Sequence, residues 1–167
     1  VFAHWGRACG RSAADLAGRF VMDGGYVAHE RGEIDFAGYC GHLRRGLAVD
    51  LDDAALLAGW NDIFIGVVPG IETVLADAAR RWPLYGFSNT NTVHHDLWSI
   101  RYASALAPLR HLYCSHALGA RKPDPAAFRQ VAGHIGLEPA SILFFDDTAE
   151  NVTGAMAVGM RARLIHP

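Results

Sequence analysis

The sequence predicts an α/β chain, with a helical module over residues 1–66 and a doubly wound parallel sheet over residues 67–167. Three observations carry this prediction. Before Pro69-Gly70, apolar residues recur at helical spacing and no strand-like alternation appears. After it, short apolar runs alternate with helical segments, the pattern of βαβ units. Polar and charged clusters follow directly on three of those runs, where open α/β sheets bind ligands.

Val1 to Ala8 reads as a helix already under way, and Ser12 precedes a short Ala/Leu-rich helical segment. Phe36, Tyr39, Cys40, Leu43 and Leu47 share one helical face behind Asp35, a suitable N-cap. Asp52 is placed to cap the next helix, whose face comprises Leu56, Trp60, Ile63 and Phe64. Pro69 suits a first helical turn, with Ile71, Val74, Leu75 and Ala78 as the buried stripe behind it. The second module then reads as strand 83–87, helix 94–102, strand 111–115, helix 125–135, strand 142–146, helix 150–158 and strand 161–165.

Composition narrows the function. At 167 residues and 51% hydrophobic, the chain fits one domain, or one with a small insertion. A chain of this size buries roughly 70% of its unfolded surface, enough for a core without disulfide or metal. A net charge of -2 supplies no basic footprint for nucleic acid and no polybasic run for an anionic membrane. No apolar stretch nears the roughly 20 residues that span a bilayer. Cys9, Cys40 and Cys114 are odd in number and far apart, which points to a reduced, cytoplasmic compartment. The nine histidines are scattered, and His94-His95 alone adjoin a predicted strand exit.

Three strand exits carry candidate chemistry. Ser88-Asn89-Thr90 offers hydroxyl, amide and backbone donors to phosphate oxygens, though a plain turn has the same composition. Lys122, flanked by prolines, can neutralise a phosphate and a carboxylate together, or be a solvated surface lysine. Asp146-Asp147 follows an apolar run, where paired like charges need compensation. Mg2+ provides it, since it favours one or two carboxylates plus water and a substrate phosphate; helix capping is the plainer account. Each cluster alone favours its plain account or is evenly poised, but the order Ser/Thr, Lys, paired Asp at successive strand exits is far more specific. It also differs from response-regulator receivers, which place the acidic pair first.

The segments Phe87-Ser88-Asn89-Thr90, Gly119 to Pro125 and Phe144 to Val152 resemble motifs II, III and IV of the haloacid dehalogenase-like hydrolases. His29-Glu30-Arg31-Gly32-Glu33-Ile34 resembles the helical cap of the branch holding sugar-phosphate phosphatases, notably the α-D-glucose-1-phosphate phosphatase type, and Ser88 to Asn91 followed by His94 is similar to the same branch. The resemblance implies that Ser88 and Asn89 bind the transferring phosphoryl group and that Lys122 holds it together with the nucleophile. It implies Asp147 as principal Mg2+ ligand, Asp146 in support, and His94 with cap residues near the leaving group. Asn151 stands where many relatives carry Asp and receives no ligand role. The implied reaction is Mg2+-dependent hydrolysis of a small phosphorylated metabolite, a sugar phosphate, through an aspartyl-phosphate intermediate.

That reaction needs an Asp nucleophile at the end of a first strand, which the resemblance places centrally, between the strands carrying motifs II and IV. Phe20-Val21-Met22-Asp23-Gly24-Gly25 superficially fits, but it lies inside the helical module, so Asp23 is expected to be a helix terminus or turn residue. The expectation is therefore that the nucleophile lies upstream of Val1, that this exact chain is inactive, and that it folds poorly alone, with apolar strand edges exposed. The end at Leu164 to Pro167 is likewise expected to lack a last helix. Two alternatives accompany the phosphatase: a metal-independent 2-haloacid dehalogenase, and a non-catalytic member that binds a phosphate ligand or a partner.

Overall fold

The computed structural model describes residues 1–166; Pro167 lies outside the described residues. The helical module comprises α1 (Phe2–Cys9), α2 (Ala13–Arg19), α3 (Gly24–Glu30), α4 (Phe36–Leu47) and α5 (Asp53–Asn61). Its boundaries are set by side-chain caps. Ser12, Asp23, Asp35 and Asp52 each accept a hydrogen bond from the main-chain N–H three residues on, satisfying a donor that the first turn leaves free. Asp23 thus has the terminus role expected of it. Trp5, Leu16, Tyr39, Cys40, Leu43, Leu47, Leu51, Leu56 and Trp60 form one buried cluster. Each large side chain there contributes on the order of 1.5–3 kcal/mol through its burial. The Trp5 indole N–H donates to the Leu56 carbonyl at 3.0 Å, and its ring stacks on Trp60 at 6.2 Å, so α1 and α5 are held by direction as well as area. The helix from Asp52 stops at Asn61. Ile63 and Phe64 therefore fall outside the face expected to include them, and Ile63 is exposed.

The second module runs α6 (Ile71–Ala79), β1 (Tyr85–Ser88), α7 (Thr92–Arg101), α8 (Ala103–Leu106), β2 (His111–Cys114), α9 (Ser115–Leu118), α10 (Pro125–Ile135), a 3-10 turn (Pro139–Ser141), β3 (Leu143–Asp146), α11 (Ala149–Ala157) and β4 (Arg161–Leu164). The strand and helix alternation is as the sequence indicates. Each strand pair is parallel, in the registers Ser88 opposite Cys114 and Asp146 opposite Leu164. They form two separate pairs, β1–β2 and β3–β4, in place of one continuous sheet. Phe128 from α10, Ala155 from α11, Met160 and Ala162 make the buried core against β3 and β4, with Phe87 and Phe144 packed on it.

Between β1 and β3 lies an apolar cleft of about 940 Å3, lined by Tyr85 to Phe87 on one side, Leu143 to Asp146 on the other, and Lys122 and Phe128 between them. This corrects the expectation for α6. Its residues Val74, Leu75 and Ala78 line the cleft and are not enclosed, because no strand of the described residues lies between β1 and β3. Pro69 lies ahead of that helix, and Gly70, in the left-handed region, is its N-cap.

Candidate active site at the strand exits

The end of the cleft at Ser88 and Asp146 gathers side chains from three separate stretches of chain. Asn89 leaves β1 and clamps the loop ahead of α10. Its Nδ2 donates to the Lys122 carbonyl at 2.8 Å, and its Oδ1 accepts from the Lys122 main-chain N–H at 2.9 Å. Lys122 is thereby fixed at its own backbone, and its side chain runs inward, buried. The Nζ passes 5.3 Å from the Phe87 ring centroid and 5.6 Å from that of Phe144. It donates to the Phe87 carbonyl at 2.8 Å and to Asp146 Oδ2 at 2.6 Å. One ammonium therefore ties the β1–β2 pair to the β3–β4 pair.

Asp146 has its partners at both oxygens. Oδ1 accepts from the Thr148 main-chain N–H and from Asn151 Nδ2, each at 2.9 Å, while Oδ2 accepts from Lys122. Burial pushes its pKa up, but the Lys122 and Asn151 hydrogen bonds outweigh it, so the carboxyl titrates below the ordinary carboxylate range. Asp147 differs. It is exposed, and its one side-chain hydrogen bond among the described residues is a long 3.4 Å contact from the Thr148 hydroxyl. The Ser88 hydroxyl has a single 3.5 Å contact, to the Asn89 carbonyl. Asp147 and Ser88 therefore keep ligand-binding capacity, whereas Asn89 and Asp146 use theirs to build the site.

That donor set can be tested against a divalent cation. Among the described residues no group of three or more His, Cys, Asp or Glu side chains forms a protein cage. Mg2+ does not need one, because it is held by one or two carboxylates with water and phosphate completing the shell. Asp147, a free carboxylate at a strand exit, fits that requirement; Asp146 fits as the buried support beside it.

His94 does not reach this site. It is buried, its Nε2 donates to the Trp60 carbonyl at 3.1 Å, and its Nδ1 lies 3.2 Å from Asn91 Nδ2. The carbonyl can only accept, so Nε2 carries the proton and Nδ1 accepts from Asn91. Stacked 5.0 Å from Trp60, its pKa is pulled down to about 4 by burial. His94 thus joins α7 to α5 as a neutral ring. Asn151, given no ligand role from the sequence, supports the site instead: its five-residue spacing from Asp146 puts it on the first turn of α11, where its Nδ2 donates to the carboxylate. Sequence reading missed Ser115, whose Oγ exchanges hydrogen bonds of 2.9 Å with the Thr90 main chain.

A parallel α/β core bearing these strand exits beneath a helical module has the haloacid dehalogenase-like fold. A HAD family enzyme from Bacteroides thetaiotaomicron, solved with magnesium and inorganic phosphate, superposes with a TM-score of 0.81 over 98% of this chain and 83% of its own, at 20% identity. A predicted HAD-like hydrolase from Porphyromonas gingivalis gives a TM-score of 0.80 at 21% identity, covering 98% of this chain and 81% of its own. No family model matches the sequence. In sequence, the chain is 34% identical to phosphatase MT3486 of Mycobacterium tuberculosis over 75% of this chain and 54% of that protein. It is 44% identical to flavin mononucleotide hydrolase 1 of Arabidopsis thaliana over 54 residues, 32% of this chain and 22% of that protein. The chain thus has the fold of these enzymes, and its sequence is similar to parts of a phosphatase and a flavin mononucleotide hydrolase. It spans about half of the first of these sequence relatives and less of the second. Among the described residues no helix is long and apolar enough to cross a membrane.

Proposed function

We propose that the protein carrying this chain is a Mg2+-dependent phosphomonoester hydrolase of a small phosphorylated metabolite, a sugar phosphate in the first instance, acting in the cytoplasm. The observation that carries this reading is the Lys122 ammonium, buried and held between the Phe87 carbonyl and Asp146 at the end of an open cleft. Phosphoryl transfer asks for positive charge that is fixed before the reaction, and this one is fixed by four hydrogen bonds to Lys122, two at its main chain and two at Nζ. The names of the sequence relatives, a phosphatase and a flavin mononucleotide hydrolase, support phosphoester chemistry, and three free cysteines support a reducing compartment.

In this reading Ser88 Oγ donates to a phosphoryl oxygen, and Lys122 Nζ offsets charge on the same group. The Asn89 carboxamide is committed to Lys122, so contact from Asn89 to the phosphoryl group comes from its main chain. Asp147 would hold Mg2+, with Asp146 in support, and the ion when bound would supply further neutralisation of charge on the phosphoryl group. The nucleophile is an Asp on a strand seated in the cleft between β1 and β3. As its oxygen bonds to phosphorus, the P–O bond to the substrate alcohol breaks and the alcohol leaves with a proton. Water then cleaves the acyl phosphate to inorganic phosphate and the free carboxylate.

The test is phosphate release by the full-length protein from a panel of sugar phosphates and flavin mononucleotide, with Mg2+ and with EDTA. Turnover that needs Mg2+ and falls by about a hundredfold or more in Lys122→Ala supports the reading, as expected for loss of a preorganised charge. No release from any phosphomonoester overturns it, and halide release from 2-haloacids in EDTA identifies a dehalogenase instead.

A further inference from the structure

A second buried ionic contact joins the two modules away from the cleft. Glu30, the last residue of α3, is 5% exposed. Its Oε1 accepts from the Tyr26 hydroxyl at 2.8 Å, and its Oε2 lies 2.7 Å from Nε of Arg121. The Nε–H is not aligned on the oxygen, so the contact is a charge pair and not a hydrogen bond. Arg121 directly precedes Lys122, whose backbone is clamped by Asn89. Two residues beyond Glu30, Gly32 packs against the His116 carbonyl of α9 so closely that a Cβ would collide with it. The end of α3 therefore bears on α9 and on the start of the loop that presents Lys122.

A buried charge pair adds little net stability over apolar side chains of the same volume, because desolvation cancels most of the attraction. Its distinctive effect is register, since each charge tolerates only one position of the other. We propose that Glu30 and Arg121 are positioning residues: the pair locks the helical module to the Lys122 loop and so sets where the ammonium lies. The role in turnover rests on the phosphohydrolase reading; the role in holding the loop does not.

The experiment is amide hydrogen exchange on the 15N-labelled full-length protein, read at Lys122, whose N–H is bound by Asn89, and at Leu43 in the core of α4. Glu30→Gln keeps an acceptor for Tyr26 and removes the charge. Exchange at Lys122 should accelerate about tenfold, the usual effect of losing one charged contact, with Leu43 unchanged. Equal acceleration at both amides, or none at Lys122, overturns the proposal. The double variant Glu30→Met with Arg121→Met replaces the pair by apolar volume and covers the case in which the single variant fails to fold. There too Lys122 should exchange faster; a wild-type rate would show that the pair only fills space. In an active protein the double variant should lower kcat/KM for 4-nitrophenyl phosphate about tenfold. Unchanged kcat/KM overturns the positioning role. An inactive wild type overturns the phosphohydrolase reading alone, because the exchange result stands without turnover.

Discussion

Lys122 and Asp146 form an ion pair away from water, so removing either leaves the other uncompensated. Lys122→Met should therefore cost about 3–5 kcal/mol in urea unfolding, because it leaves the Asp146 carboxylate without its cation. Since the folded pKa of Asp146 is depressed, its contribution is present in full above the unfolded value of about 3.9 and is lost as pH falls through the folded one. His94 acts in another window. Its folded pKa of about 4 lies below the unfolded value near 6.5, so between those values the unfolded chain takes up a proton that the native ring refuses. Stability should fall by about 3 kcal/mol as pH drops from 6.5 to 4, and His94→Gln should flatten that slope. An NMR titration in which the His94 ring changes charge near pH 6.5 would contradict it. At this scale, short local motifs were legible as positions: Ser88 ends β1, Asp146 ends β3 with Asp147 next, and Lys122 lies in the loop between α9 and α10. What they bind within the protein was not, because the Asn89 clamp joins residues 33 apart in sequence and His94 meets a carbonyl 34 residues away.

Among the elements, capped helices were readable because the cap and its first turn are adjacent in sequence. Asp35 and Asp52 cap as expected, Ser12 caps the helix it was read to precede, and α10 begins at Pro125 behind an Asp124 cap. The apolar stripe of α6 was misread for a related reason: periodicity identifies which face is apolar but not whether anything covers it. One inter-element contact has a sharp consequence. Gly154 of α11 lies against the Pro123 carbonyl and the Phe128 ring, with no room for a Cβ. Gly154→Ala should push α11 away from the loop after Lys122 and cost about 1–3 kcal/mol, read as a lower urea midpoint. Because α11 also carries Asn151, the same variant should weaken phosphate binding in the full-length protein by more than its loss of stability explains.

Over the whole molecule, the α/β class and the parallel direction of the strands were legible from the alternation of runs. The division into two strand pairs accords with the central strand that the resemblance demanded and the residues did not offer. The strand edges facing the cleft carry exposed apolar groups, among them Leu143 and Phe145, with Trp82 close by. As a 167-residue polypeptide the chain should self-associate at micromolar concentration through those edges, and Phe145→Lys should shift sedimentation toward the monomer. A monomeric wild-type chain would rule this out.

The Lys122 ammonium also has a mechanical meaning. It is a rivet through two plates, each internally laced by its own ladder and fastened to the other at the rivet head. A shear that slid one plate past the other would load the Phe87 and Asp146 bonds before any ladder hydrogen bond stretched. Added salt should leave that stiffness nearly unchanged, since mobile ions do not reach a buried pair as they reach a surface one.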